Sequence, residues 1–362
     1  MNTYPHLSAS FAIGGHRLAN RIVMPPLVVF NAGTDGAMTP AVLEHYRESA
    51  GPGMVVVEAT VVSPEGRLSP KQLGVFEDRH VEGLATLAGI IHASGAFASL
   101  QIHHAGSNTT MANTFGQTLV APSAVANKAG EVPRSLEEAE IQRIIGCFAD
   151  AARRAREAGF DAVEAHGAHG YLISQFLSPL TNHRADRWGG SLSNRARFLR
   201  QILARIREEN GDRLVVYCRL GVADANPDGL SLDEGIQVAK WLEADGVPLL
   251  NVSHGIGREK RAATVDSWSD LMDLGIAVKR SVGIPVIGVG EIVDPADAER
   301  LIAEGLVDLV AVGRGTLADP QWARKSLEGR VGEIVPCRHC TVCQHFGHAE
   351  KCPARRGAKV GA

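Results

Sequence analysis

The sequence predicts an α/β fold, a (β/α)8 TIM barrel with a Cys-rich C-terminal extension. Three observations carry that prediction. Eight short runs rich in Val, Ile and Leu alternate with amphipathic stretches, a pattern that favours a closed parallel barrel over an open doubly wound sheet. No G-x-G-x-x-G follows the first run, so the fingerprint of an open dinucleotide-binding sheet is absent. The 362 residues exceed the usual single-domain length, yet α/β barrels stay one domain at such lengths.

The expected strands are Arg21–Pro25, Met54–Ala59, Ala98–His103, Asp161–His166, Leu214–Leu220, Pro248–Ser253, Pro285–Val289 and Leu306–Val312. Their near-continuous apolar content suits parallel strands covered on both faces. Residues 11–18 read as a small hairpin ahead of the first strand. A helix is expected over Leu136–Ala158, with Ser135 as N-cap, Glu138 three residues on and Gly159 as the stop. Helices are also expected over Ser193–Asn210, Leu232–Ala244, Trp268–Val282 and Pro295–Glu304. Ser231 and Asp294 are N-cap candidates, and Pro295 suits a first helical turn. Two long insertions, residues 104–134 and 167–195, follow the third and fourth strands. Barrels build active sites at those strand ends. Residues 1–335 are read as the barrel and 336–362 as a separate tail.

Composition narrows the class. Apolar residues make up 45% and charged residues 21%, with a net charge of −3. That balance is ordinary for a globular enzyme and lacks the basic excess of a nucleic-acid partner. No run approaches the ~18 apolar residues of a membrane span. The N-terminus lacks the basic start and apolar run of a secretory signal, so a cytoplasmic protein is expected. Cys147 and Cys218 fall in helix and strand patterns and read as core thiols. The other four cysteines crowd into the tail, where a metal site is a better reading than a disulfide framework.

The densest chemical signal is His166-Gly-Ala-His169-Gly-Tyr171, just past the fourth strand. Two imidazoles there can donate hydrogen bonds to one carbonyl oxygen and stabilise charge that builds on it. A neighbouring tyrosine can deliver a proton to carbon. The same residues could instead shape a loop, or act as a metal pair, although no third ligand is evident. Arg219, in the middle of an apolar strand, needs an anionic or strongly polar partner, either a ligand or a carboxylate on a neighbouring strand. Glycines at the ends of strands seven and eight suit a phosphate, but glycine also serves ordinary turns.

The stretch HGAHGYLISQFLSPLTNHRADRWGGSLSNRARF closely resembles the signature of the Old Yellow Enzyme family of FMN-dependent ene-reductases. RIVMPPL, VVEAT, LQIHHAG, CRLGVAD, GVGEI and AVGRGTLADP resemble further family motifs in the expected order, and the match spans roughly residues 7–335. The resemblance implies FMN at the barrel mouth, with Pro25, Pro26, Leu27 and Val28 along the flavin ring and Ala59 allowing close approach. It implies that Gln101 bonds the pyrimidine end and that Arg219 lies near N1 and the C2 carbonyl. Gly290, Gly313 and Arg314 would hold the phosphate. His166 and His169 would polarise the oxygen of an α,β-unsaturated carbonyl, Tyr171 would protonate the α-carbon, and NAD(P)H would supply electrons. The chain departs from the family at Val28, where many members have Cys or Thr, and at Ser107, where Arg is usual. The substrate is therefore not read across.

In the tail, Cys337, Cys340 and Cys343 are followed after eight residues by Cys352-Pro353. This spacing is the kind that wraps a [4Fe–4S] cluster. His339, His345 and His348 keep a zinc site open as the alternative. The tail also resembles that of the iron–sulfur flavoenzymes related to 2,4-dienoyl-CoA reductase and trimethylamine dehydrogenase, though its last spacer is shorter. Those enzymes continue into FAD- or dinucleotide-binding domains, whereas this sequence stops at Ala362. The expectation is that a separate electron-donor protein works through the cluster or that NAD(P)H reduces FMN directly. The segment Gly255-Ile256-Gly257-Arg258-Glu259 lacks the histidine of the dienoyl reductases. His254 is a possible substitute or an ordinary loop residue. An amine dehydrogenase and a flavin electron-transfer subunit remain alternatives. A homo-oligomer is expected, with Arg-rich segments near 324–330 and the tail as interface candidates.

Overall fold

The computed structural model describes residues 3–257, 268–343, 345 and 349–358. Arg258, Glu259 and His348, which entered the sequence reading, lie outside the described residues.

Eight strands close into a barrel. They are β1 Ile22–Met24, β2 Met54–Val61, β3 Phe97–His103, β4 Ala162–Gly167, β5 Val215–Gly221, β6 Leu250–Ser253, β7 Val286–Val289 and β8 Leu309–Ala311. Every neighbouring pair is parallel, and closure comes from β8 against β1, with Val310 opposite Ile22 and Ala311 opposite Val23. All eight fall where the apolar runs predicted. Only their ends shift, because the flanking residues lie beyond the paired register. An antiparallel hairpin, Phe11–Ile13 with His16–Leu18, precedes the barrel as expected.

The outer helices are α1 Pro40–Glu48, α2 Val81–Ala93, α3 Glu138–Glu157, α4 Arg197–Asn210, α5 Leu232–Ala244, α6 Asp270–Lys279, α7 Pro295–Ala303 and α8 Trp322–Leu327. Ser231 caps α5 through the amide of Glu234, and Asp294 caps α7 through the amide of Ala296. Two expectations are corrected. The N-cap of α3 is Glu137, not Ser135: Glu137 and Glu140 form a reciprocal capping box, while Ser135 pairs in a two-residue strand with Ala121. The stretch from residue 193 is not one helix. A short helix, Leu192–Arg195, stops at Ala196 before α4 begins. Buried Arg195 reaches back to the carbonyls of Gly190 and Leu177 and to Glu234, which holds that break in place.

Packing follows from the pattern. The β-strands bury Val, Ile and Leu against the inner faces of the helices. Phe176 stacks on Phe198 at 4.2 Å, with Trp188 edge-on to both, and this cluster anchors the loop after β4 to α4. Cys218 is buried as expected, whereas Cys147 is half-buried at the edge of the core. The register between β2 and β3 shifts between Val57 and Thr60, a bulge at the barrel rim that re-aims the residues beside it. The tail packs onto the barrel. Arg355 donates to the carbonyl of Leu317 and pairs with Glu48 at 2.9 Å, and Ala354 is buried. No helix among the described residues is long and apolar enough to cross a membrane.

Candidate active site

The inward positions of β3 to β6 carry polar side chains in two levels. The lower level is a closed network. Buried Glu164 accepts from Gln101 Nε2 at 2.6 Å and from Asn251 Nδ2 at 2.7 Å, while Ser99 and Tyr217 share a hydrogen bond of 2.9 Å. Burial pushes the Glu164 carboxyl up, and the nearby Arg219 charge opposes that rise. Alternation on the strands then puts His103, His166, Arg219 and Ser253 one level higher, at the C-terminal mouth.

Arg219 is buried yet has no ion pair among the described residues. Its Nε is buried without a partner, and its Nη2 only reaches Ser253 Oγ at 3.5 Å. The neighbouring-strand carboxylate, Glu164, is near enough to act electrostatically but is already hydrogen-bonded elsewhere. A buried guanidinium with so little compensation is costly unless a ligand completes it.

Beside Arg219 lies a cavity of about 130 Å³, walled by Pro25, Leu27, Arg219, Gly290, Gly313 and Arg314 together with apolar residues from β7 and β8 and their loops. Six of the ten expected flavin-contacting residues thus meet in one space. Gly290 has φ 151°, and an added Cβ would lie 2.3 Å from Ser269 Oγ, so only glycine fits. Gly313 faces Pro25 and Leu27 across the cavity, with the nearest atoms 3.5 Å or more from an added Cβ. Arg314 pairs with Glu291 at 3.1 Å on the same wall. Pro26, Val28 and Ala59 do not line this cavity. Ala59 is buried at the β2 bulge, and its carbonyl accepts from Gln72 at 2.7 Å. Gln101 sits below, with its amide nitrogen committed to Glu164.

At the same mouth level as Arg219, four rings gather. His166 Nε2 lies 2.8 Å from His169 Nδ1, and His169 Nε2 lies 2.7 Å from Ser253 Oγ. His169 holds φ 62°, a left-handed conformation enforced by its amide bonding to the carbonyl of His254. Tyr171 stands edge-on to His103 at 4.4 Å and to His166 at 4.9 Å. Burial pushes the Tyr171 phenol up to about 12, and burial, with His169 and the Arg219 charge beside it, holds His166 well below its ordinary range. The phenol is therefore protonated and the imidazole neutral near pH 7. The sequence reading brought His166, His169 and Tyr171 together correctly in space, but the two imidazoles bond each other rather than converging on an open point. His254 packs against His169 at 4.8 Å.

Two residues escaped the sequence reading. Glu164 sits two positions before His166 in DAVEAH, and the same alternation that exposes His166 to the mouth turns Glu164 inward. Glu58 is the other. Its buried carboxylate accepts from the amide of Val29 at 3.2 Å, and backbone bonds to Val29 and Phe30 oppose a rise to about 8 caused by burial. It tethers the segment that follows Pro25–Leu27.

The four tail cysteines line one small cavity, and Cys337 and His339 also wall the larger cavity beside Arg219. Among the described residues, however, no three His, Cys, Asp or Glu side chains converge to hold a metal ion.

The family model described as the NADH:flavin oxidoreductase / NADH oxidase family matches residues 7–333. The chain belongs to that family. The Old Yellow Enzyme resemblance holds. It is 42% identical over 351 residues to an NADH oxidase of Thermoanaerobacter brockii, covering 94% of this chain but 54% of that protein. The chain thus spans about half the length of that relative. It is 36% identical over 323 residues to an NADPH dehydrogenase of Halalkalibacterium halodurans, covering 88% of this chain and 93% of that one. The structure of an Old Yellow Enzyme homologue from Zymomonas mobilis superposes with a TM-score of 0.81 at 26% identity, over 95% of this chain and 99% of that chain.

Proposed function

We propose that this family member is an ene-reductase acting on the C=C bond of an α,β-unsaturated carbonyl compound. The observation that carries the reading is the under-compensated Arg219 in the wall of a cavity, with three imidazoles and a phenol gathered near it at the barrel mouth. The residues fit FMN: a buried cation without an ion pair suits the anionic end of a reduced flavin, and Gly290, Gly313 and Arg314 suit a phosphate. Bound FMN would supply two-electron chemistry between NAD(P)H and the substrate. Pro25 and Leu27 shape the space for its ring; Pro26, Val28, Ala59 and Gln101, which the family resemblance assigns to the same flavin, stand outside that cavity, with the Gln101 amide nitrogen on Glu164.

His166 and His169 take the substrate carbonyl oxygen, which must compete with their mutual hydrogen bond of 2.8 Å. Charge that builds on that oxygen is stabilised by their N–H groups. Tyr171, held protonated by burial, passes its proton to the α-carbon. The buried Phe176 and Trp188 pack against Phe198 of α4 and so hold the loop that carries His169 and Tyr171 against the barrel.

The alternative, oxidation of an amine, fits less well. A cationic amine favours aromatic walls, whereas Phe, Tyr and Trp make up only 5% of this chain and the His166–His169 pair suits an oxygen that gathers negative charge. Anaerobic stopped-flow mixing with NADH, NADPH, cyclohexenone and trimethylamine separates the readings. Reoxidation of NAD(P)H-reduced enzyme by cyclohexenone supports ene-reduction. Reduction by trimethylamine overturns it, and inertness to both favours an electron-transfer subunit.

We read residues 336–362 as a metal- or cluster-binding unit, with Cys337, Cys340, Cys343 and Cys352 as ligands of a [4Fe–4S] cluster and zinc as the competing occupant. The support is the donor set and its gathering around one cavity; the side chains as they stand do not form a closed site. A separate electron-donor protein and a homo-oligomeric assembly belong to the same reading, and iron, sulfide and zinc analysis with gel filtration tests them.

A further inference from the structure

We infer that His103 is a positioning residue: its Nδ1–H fixes the tautomer in which His166 presents an Nε2–H to a substrate carbonyl oxygen. The inference rests on the reading of His166 and His169 as oxygen donors.

His103 lies two residues after Gln101 on β3, so its side chain points into the same mouth. Its Nδ1 is 3.1 Å from His166 Nδ1. The chain continues from His166 Nε2 to His169 Nδ1 at 2.8 Å, from His169 Nε2 to Ser253 Oγ at 2.7 Å, and Arg219 Nη2 donates to that oxygen at 3.5 Å. Burial holds His103 down at about 3 and His166 well below its usual range, so both rings are neutral and carry one proton each.

With His169 neutral as well, two proton arrangements satisfy every link. In the first, His103 Nδ1–H donates to His166 Nδ1, His166 Nε2–H to His169 Nδ1, and His169 Nε2–H to Ser253 Oγ. In the second, every donor is reversed: Ser253 O–H donates to His169, His169 Nδ1–H to His166, and His166 Nδ1–H to His103, whose proton then sits on Nε2. His103 Nε2 is buried with no partner among the described residues. The second arrangement strands an N–H there, and orphaned buried N–H groups are the rarer kind of unsatisfied group. The first leaves only a lone pair. It is also the arrangement in which both His166 and His169 carry an Nε2–H that an arriving carbonyl oxygen can take. The second would turn lone pairs toward that oxygen.

The test is ring-nitrogen NMR of the FMN-loaded protein labelled with [15N]histidine, in the parent and in His103→Leu and His103→Asn. An asparagine amide can replace the Nδ1–H donor. His166 should be the Nε2–H tautomer in the parent and in His103→Asn, and should shift toward Nδ1–H in His103→Leu. In parallel, kcat/KM for cyclohexenone should fall about 10²- to 10³-fold in His103→Leu, the scale set by loss of one oxyanion donor, and stay within about threefold in His103→Asn. An Nδ1–H tautomer in the parent, or a tautomer unchanged in His103→Leu, overturns the inference. Unimpaired cyclohexenone turnover in His166→Ala and His169→Ala would instead overturn the underlying reading, whatever the tautomers show.

Discussion

Replacing Arg219 with methionine should separate the needs of the flavin from those of the fold. The guanidinium is buried, its Nε has no partner, and its best hydrogen bond in the protein is 3.5 Å long. It therefore gives the ligand-free fold little, and the desolvation that its burial costs is returned when methionine takes its volume. Glu164 loses a stabilising positive charge, but its oxygens keep Gln101 and Asn251 as donors. Unfolding of the ligand-free variant should stay within about 1 kcal/mol of the parent, or rise. FMN binding should behave oppositely. A hydrogen bond to a charged group is worth about 1.5–3 kcal/mol, which corresponds to a loss of roughly 10- to 150-fold in affinity. If reduced FMN gains about 1.4 kcal/mol more from this cation than oxidised FMN, the two-electron potential of the bound flavin should drop by about 30 mV in the variant. Fluorescence titration of the deflavinated protein with FMN measures the affinity, and equilibration with a reference dye measures the potential. Equal FMN affinity in parent and variant would remove Arg219 from the flavin site.

Three other outcomes follow from the same geometry. Tyr171→Phe should slow cyclohexenone reduction by about 10²–10⁴-fold, the usual worth of a general acid, while reduction of the flavin by NAD(P)H stays unchanged; because burial raises the phenol to about 12, no loss of rate from its ionisation should appear below roughly pH 11. Glu58 is raised to about 8 from its ordinary 4.5, so it favours the fold most below its unfolded value and loses that contribution as pH rises toward 8; thermal melts should show Glu58→Gln gaining on the parent between pH 5 and 8, and parallel pH profiles would refute the assignment. Replacing Cys340 and Cys343 together with serine should abolish bound iron and sulfide, or zinc, without removing FMN, as read by metal analysis and the visible spectrum.

Much of the fold was legible because parallel strands buried on both faces leave continuous apolar runs, and all eight were found in order. The first two barrel helices, α1 and α2, were missed. Helix α2 is apolar over most of its length and gives a weak periodic signal, and α1 is announced by little more than Thr39 and Pro40. The α3 cap was misplaced by two residues because Glu137 is an unusual cap, accepted here through its reciprocal bonds with Glu140. At the site, Arg219 stood out as a charge in an apolar strand. Glu164 carried the same signal but was overshadowed by His166 two residues later. The mutual hydrogen bond of His166 and His169 could not be read from their spacing, since it depends on the left-handed backbone of His169. Nor could the spacing of the tail cysteines show that Cys337 shares a wall with the cavity beside Arg219.

The most direct check is the flavin stoichiometry of the natively purified protein, obtained from its absorption spectrum and from the cofactor released on denaturation. One FMN per chain, bound in the parent and weakened in Arg219→Met, is the predicted result. A colourless protein that takes up no FMN when the cofactor is supplied would contradict the account at its root.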